Sequence, residues 1–372
     1  MRIVLFYHAF TSCWNNGNAH FVRGVSRELV RLGHDVMVCE PRDGWSRNNA
    51  LKDAPELLAE TATLVPGVAI ESYDGEPDLD VLLDRADLVI VHEWNQPALI
   101  AAIGQRRRQG ARFLLLFHDT HHRAVTAPHE LSAFDLRGYD SVLAFGEVLR
   151  EIYLKRGWAR RVYTWHEAAD VELYHPMPEV QKQWDLVWIG NWGDDERSSE
   201  LTEYLIEPVR RLSLSAHIYG VRYPQHAKAA IAAAGVDYGG WLPNHLAPLA
   251  FAKARATVHV PRAPYARQLA GIPTIRVFEA LACGIPLVSA PWTDAEGLFP
   301  PGCYIGVNSG EAMAAALRAV HEDVDLRASL VRNGLDAIRE RHTCRHRAQE
   351  LLAFADDIAS PASGKQWDRI AS

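Results

Sequence analysis

The chain is expected to fold as an α/β protein of two doubly wound domains, each a parallel sheet with helices on both faces. Three observations predict this. Its 372 residues are too many for one typical domain and suit two. Short apolar runs alternate with helical stretches along most of the length, the pattern of parallel strands buried on both sides. The alternation breaks at Val171-Glu-Leu-Tyr-His-Pro-Met-Pro-Glu179, where two prolines within three residues stop any helix or central strand.

The elements follow in order. Ile3-Val-Leu-Phe-Tyr7 reads as a buried strand. A helix follows, with Phe21, Val25, Leu29 and Leu32 on one face and Gly33 at its stop. Strands are expected at 35–39, 88–91, 113–117, 141–144 and 161–164, with 41–66 irregular or weakly helical. After the break, strands are expected at 185–189, 216–219, 257–260, 286–289 and 303–306, with a helix over 197–212. Ile275, Phe278, Leu281 and Ala282 repeat at helical spacing ahead of Gly284 and Pro286. The end is helical at 310–321, 324–342 and 343–358, the last with an apolar stripe of Ala348, Leu351, Leu352, Ala355 and Ile358. The expected division is a first domain over 1–170, a second over 171–342, a last helix over 343–358 and a disordered tail over 359–372.

Composition narrows the function. A net charge of −7 argues against nucleic acid as a ligand, since such domains carry a basic excess. Five widely spaced cysteines without a CxxC pair suggest neither a disulfide framework nor a zinc site. The first residues already form a strand, and no apolar run reaches the roughly 18–20 residues that span a membrane. A soluble, cytoplasmic protein without a transmembrane segment is expected.

Doubly wound domains bind ligands at the carboxyl ends of their strands, so a cleft between the two is the expected site. The turns after the two leading strands, His8-Ala-Phe-Thr-Ser-Cys-Trp-Asn-Asn-Gly17 and Gly190-Asn-Trp-Gly193, lack the GxGxxG of dinucleotide enzymes. In Gly190-Asn-Trp-Gly-Asp-Asp-Glu-Arg197, Gly190 and Gly193 let backbone approach a ligand. Arg197, at a helix start that is already positive, calls for an anion: a diphosphate, or Asp194 or Asp195. Glu279 lies near the start of another helix, whose free amides can take phosphate while the carboxylate reaches a ribose. Arg262 and Arg267 precede that helix and add positive charge. Trp241 and Leu242, in Gly239-Gly-Trp-Leu-Pro-Asn244, either present backbone and a flat ring to a base or simply pack.

In the first half, His118 is nearest the strand tip in Phe117-His-Asp-Thr-His-His122, placed to bond a sugar hydroxyl or stabilise developing charge. His118 and His122 have helical metal-ligand spacing, but no further ligand accompanies them, so no metal is expected. Gly17 and His20 in the first loop, and Glu93 and Trp94 after a later strand, are candidates for acceptor binding. Glu167 and Asp170, just before the break, read as hinge residues rather than ligands.

Gly190-Asn-Trp-Gly with Arg197, Gly220-Val-Arg-Tyr-Pro224, Gly240-Trp-Leu-Pro-Asn244 and Arg276-Val-Phe-Glu-Ala-Leu-Ala-Cys-Gly-Ile-Pro286 together resemble the CgeB-like (spore maturation protein type) glycosyltransferases. That group is related to the group 1 or family 4 retaining enzymes. The resemblance implies the GT-B fold: two Rossmann-like domains facing a central cleft, with a C-terminal helix crossing back to the N-terminal domain. It implies a nucleotide diphosphate sugar donor on the C-terminal domain, an unidentified acceptor on the N-terminal one, no tightly bound cofactor, and transfer with retention and without metal. By the same resemblance Glu279 contacts the ribose, Arg197 with Arg262 or Arg267 the diphosphate, and His118 the donor sugar. The glutamate that family 4 enzymes carry eight positions before Glu279 is Gly271 here. The sugar hydroxyls then fall to backbone amides of Gly271 and Ile272, beside Thr274. Two other readings stay open: a GT-B-type sugar-nucleotide epimerase, and a non-catalytic nucleotide-sugar-binding protein of a spore or cell-surface layer.

Overall fold

The computed structural model describes residues 1–193 and 195–360. Asp194 and, of the expected tail, 361–372 lie outside the described residues; Ala359 ends the last helix. The chain forms two parallel sheets. The first contains β1 (Arg2–Phe6), β2 (Asp35–Pro41), β3 (Ala69–Tyr73), β4 (Leu88–His92), β5 (Leu114–Asp119), β6 (Ser141–Ala144) and β7 (Val162–Thr164). Its order is β3-β2-β1-β4-β5-β6-β7. The second contains β8 (Trp184–Ile189), β9 (Ala216–Tyr219), β10 (Asp237–Tyr238), β11 (Ala254–His259), β12 (Leu287–Ser289) and β13 (Ile305–Gly306), in the order β10-β9-β8-β11-β12-β13.

The central strands are continuous apolar runs because helices cover both faces. Ile3, Val4, Leu5 and Phe6 are fully buried, and Leu5 lies in register between Val38 and Ile90. In each sheet the order reverses beside the leading strand, between β1 and β4 and between β8 and β11. Such reversals open a crevice at the carboxyl ends of the strands.

The stretch expected to be irregular carries helices Trp45–Asp53 and Pro55–Thr63, and β3 follows it. β3 reads Ala-Ile-Glu-Ser-Tyr; an edge strand with one paired side needs no apolar run. The helix expected over 197–212 is three pieces: Ser198–Leu201, a π-turn Thr202–Ile206, and Glu207–Leu212. Pro208 has no N–H to continue the ladder, which accounts for the break.

Helix Cys344–Ala359 crosses back onto helix Ala19–Arg31 of the first domain. A Cβ at Gly24 would lie 2.6 Å from Cys344 Sγ, so only glycine permits this approach. Further along, Phe354 stacks on Tyr163 at 4.4 Å, and the Trp165 indole donates to Arg347 O at 2.9 Å. Thr343 caps the helix and bridges to Ala169, so the two chain crossings between domains lie side by side. Among the described residues no helix is long and apolar enough to cross a membrane. All five cysteines are free and buried.

Candidate active site

A cavity of about 1220 Å³ lies between the carboxyl ends of the two sheets and is walled by both domains. In the second domain the loop after β8 forms one wall. A Cβ at Gly190 would lie 2.7 Å from the Trp188 ring, and one at Gly220 only 2.0 Å from Gly190 O. Gly193, at φ +85°, uses the left-handed region that glycine tolerates best. These constraints bring bare backbone to the cavity.

Arg197 is the N-cap of helix Ser198–Leu201 and is nine-tenths buried in the wall. It donates to Val260 O at 2.6 Å, to Trp192 O at 3.4 Å and to Asn191 O, and lies over the Trp188 ring. Asp195 is not its partner: that carboxylate accepts from the Trp192 indole at 3.0 Å and Ser198 Oγ at 3.1 Å. Burial, then the nearby Arg262 charge, pulls the guanidinium down to about 10. A guanidinium held on carbonyls, with no carboxylate against it among the described residues, is prepared for an anion.

Arg262 also lines the cavity and pairs with Glu196 at 2.6 Å. Thr274 caps helix Ile275–Ala282, and Pro273, Thr274, Ile275 and Arg276 are all in the wall. Of its first-turn amides, Val277 N donates to Thr274 O at 3.0 Å, while those of Ile275 and Arg276, both in the wall, have no acceptor among the described residues. Arg276 extends from the same turn toward Gly17, whose Cβ, if present, would lie 3.8 Å from Arg276 Nη2. Arg276, not among the residues expected at the site, lies one turn before Glu279 on the same helix face, a spacing visible in the sequence. Trp241 and Leu242 are in the wall; the Trp241 ring packs beside Trp14 and Val221, and its buried Nε1 has no partner among the described residues.

Several predicted residues stand elsewhere. Glu279 is fully buried behind Arg276 rather than in the wall. It pairs with Arg276, and its Oε1 lies 3.1 Å from His20 Nδ1. Burial pushes its carboxyl up, but the Arg276 and His20 charges outweigh this and hold it below the usual range. His20 is likewise buried, against Gly17 O and the Tyr174 ring. Arg267 is exposed and pairs with Glu200 at 2.9 Å, away from the wall. The amides expected to hold sugar hydroxyls are already committed. Gly271 N donates to Thr293 O at 2.9 Å and Ile272 N to Leu269 O at 3.3 Å.

In the first domain, His118 lies one layer behind the wall. It is hydrogen-bonded to Tyr7 Oη at 2.5 Å and packs edge-on to Trp165 at 4.8 Å. Its side chain faces the helical layer because it is still within β5; the residues past the strand, Thr120, His121 and His122, are the ones that reach the cavity. Burial pulls His118 down to about 3, so the ring is neutral. Glu93 is also fully buried, holding Arg123 at 2.7 Å and accepting from Thr120 N at 3.0 Å. Gly17 and Trp94 do line the cavity. Trp94 is 43% exposed, with the Arg123 guanidinium 4.1 Å from its ring.

Two features were missed. Glu167, read as a hinge residue, is in the wall and accepts from Asn18 Nδ2 at 2.7 Å. The first-domain wall of the cavity also includes Asp43, Trp45, Tyr73, Glu76, Leu79 and Leu99. Most of these residues belong to the stretch the sequence left without elements, so no strand end could be assigned to them.

Comparison with known proteins agrees with this architecture. Residues 15–173 match a family described as Glycosyltransferase Family 4, and residues 197–353 one described as Glycosyl transferase-like. No curated protein matches by sequence. Among solved structures, an alpha-glucosyltransferase in complex with UDP is similar, with a TM-score of 0.72 at 12% identity over 96% of this chain and 100% of that one. The Anabaena HepE protein in complex with UDP and glucose has a TM-score of 0.68 at 15% identity, over 96% and 99%. Sucrose-phosphate synthase from Thermosynechococcus elongatus has 0.66 at 14%, over 96% and 99%. The chain has the GT-B fold, and with its two halves each matching a glycosyltransferase family it is a glycosyltransferase.

Proposed function

We propose that the chain is a retaining, metal-independent hexosyltransferase of the CgeB-like type, working in the cytoplasm. The observation that carries the donor site is the convergence of Arg197, Arg276 and the amides of helix Ile275–Ala282 on one cavity. A departing diphosphate gains charge there, and preorganised positive groups stabilise it most where charge develops. Arg262 adds to this field, while Gly190, Gly193, Trp241 and Leu242 receive the nucleoside. Glu279 acts through Arg276, as its counter-charge. The acceptor lies over Gly17, Trp94, Trp45 and Tyr73 of the first-domain wall. His118 supports Tyr7 behind the wall instead of touching substrate. Retention is carried over from the family 4 resemblance, and five free, buried cysteines suit a reducing compartment.

The test begins with a thermal-shift screen of nucleotide sugars, because selective binding to the native state raises the melting temperature. The selected donor is then incubated with and without a panel of acceptors, in the presence of a chelator. Acceptor-dependent release of nucleoside diphosphate, with the donor's anomeric configuration kept in the product, is expected. Conversion of the donor sugar without release would point to an epimerase. Loss of activity with chelator, restored by a divalent ion, would overturn the metal-independent reading.

A further inference from the structure

The contacts assigned so far leave one buried carboxyl in the cavity wall unexplained. Glu167 belongs to a strap that leads from β7 toward the second domain, and the strap is tied down along its length. Trp165 N donates to Ala144 O at 2.7 Å, and His166 Nε2 meets Glu296 Oε2 of the second domain at 2.7 Å. Ala169 N donates to His342 O at 2.9 Å, and Cys344 N to Ala169 O at 3.0 Å. The carbonyl of Glu167 itself accepts from Arg347 Nε of the crossover helix. The side chain is 7% exposed, yet it lines the cavity. Asn18 Nδ2 occupies Oε1, and no described residue donates to Oε2. That second oxygen belongs to a residue of the cavity wall and is left for a group that enters the cavity.

We propose that Glu167 is a donor-specificity residue that holds a hydroxyl of the transferred sugar. This rests on the donor reading above. Its placement favours the sugar over the rest of the donor. Asn18, its partner, follows Gly17, which packs against Ile275 and Arg276 at the start of the proposed diphosphate helix. Glu167 therefore lies beside the diphosphate position, where the attached sugar begins, near enough to Arg276 and Glu279 to feel both charges. A phosphate oxygen only accepts hydrogen bonds, whereas a hydroxyl both donates and accepts and suits a carboxyl in either protonation state. Burial, then the Glu279 charge, pushes the Glu167 carboxyl up to about 8, so near neutrality it also has a proton to donate.

The assignment is tested by calorimetric titration of the full chain. The probe is whichever of UDP-glucose, UDP-N-acetylglucosamine, GDP-mannose and dTDP-rhamnose most raises its melting temperature, paired with the matching nucleoside diphosphate. Glu167→Ala is expected to bind the nucleotide sugar about tenfold more weakly and the nucleoside diphosphate less than about twofold more weakly, the effect of one lost hydrogen bond. Glu167→Gln, which keeps the shape and can still bond a hydroxyl, is expected to recover most of the loss. Melting temperatures of both variants confirm that they fold. Equal losses on the two ligands, or no loss on the nucleotide sugar in the folded variants, would overturn the assignment. A parent protein that binds no nucleoside diphosphate would instead overturn the donor reading, and this assignment with it.

Discussion

Arg197 has two tasks, and they can be separated. Its guanidinium ties the carbonyls of Asn191, Trp192 and Val260 together and also faces the cavity. Charge-assisted hydrogen bonds to a diphosphate are worth roughly 1.5–3 kcal/mol, or about 10- to 150-fold in affinity. Arg197→Ala should therefore weaken a nucleoside diphosphate by that factor while changing the parent nucleoside much less, and it should also lower the melting temperature. Titration of both ligands decides this; a diphosphate bound as tightly as by the parent would remove Arg197 from phosphate recognition. The conflict between Arg197 and the helix dipole was legible in the sequence. Its resolution was not, because Val260 is remote in sequence and reaches Arg197 only through the pairing of β8 with β11. Glu279 was legible as a special carboxylate, but not its direction. The sequence places it near a helix start, and the fold then closes Arg276 and His20 over it. A mutant cycle separates direct ribose contact from action through Arg276. Arg276→Ala should weaken nucleoside diphosphate by about tenfold or more. If Glu279 acts only as counter-charge, Glu279→Gln should add little further loss in that background. A full additional loss, seen on the nucleoside as well, would restore the ribose contact.

At the scale of elements, the two domains meet through a small set of polar ties. Glu296 of the second domain accepts from Glu147 N, at the start of helix Glu147–Lys155, at 2.9 Å and binds His166 at 2.7 Å. Gly271 leaves room for it, since a Cβ there would lie 2.8 Å from Glu296 Cγ. The position that carries a glutamate in family 4 relatives is thus bare where another carboxylate spans the domains. Glu296→Ala should loosen this tie and enlarge the radius of gyration of the ligand-free protein in small-angle scattering, with saturating nucleoside diphosphate returning it toward the parent value. An unchanged ligand-free profile would mean that the crossings at Ala169 and Thr343 alone set the domain angle. Central strands and the crossover helix were readable because burial on two faces, or along one stripe, imposes a hydrophobic period. β3 and β10 were not, because β3 carries Glu71 and Ser72 and β10 is only two residues long, and the π-turn ahead of Pro208 was not, because a local break imposes no period. The missing edge strand had a cost at the site, since Tyr73 at the end of β3 lines the cavity.

Across the whole molecule, the cavity is divided in chemistry as well as in chain. Arg197, Arg262 and Arg276 line the second domain, while Trp45, Tyr73 and Trp94, with Asp43 and Glu76, line the first. Trp45 and Trp94 are 57% and 43% exposed, an arrangement suited to stacking on a ligand. Trp45→Ala and Trp94→Ala should each raise the acceptor KM several-fold, by roughly 1 kcal/mol of lost stacking, and leave nucleoside diphosphate affinity unchanged. A changed diphosphate affinity would place these rings in the donor half instead. Burial throughout the fold also sets how stability responds to pH. His118, His259 and His342 are each pulled down to about 3, with burial the leading cause. Above the ordinary histidine value near 6.5 they are neutral in both the folded and the unfolded chain and have no effect. As pH falls below it, the unfolded chain takes up protons that the folded chain refuses, so stability falls by about 1.4 kcal/mol per pH unit for each group. Glu167 has the opposite sign: its raised carboxyl favours the fold at low pH, and that contribution fades as pH rises from the ordinary carboxylate range toward about 8. Maximum stability is therefore expected near pH 6.5, with the steep side toward acid. At pH 5 each histidine costs roughly 2 kcal/mol, so together they remove a large part of a typical 5–15 kcal/mol. Urea midpoints measured from pH 8 to pH 5 read this directly. His118→Asn, which removes one titrating ring, should make the acid limb shallower by about 1.4 kcal/mol per pH unit, even if it lowers stability overall. An acid limb equally steep in that variant would mean that His118 already carries its proton in the folded protein, and that the Tyr7 contact holds a charged ring instead of a neutral one.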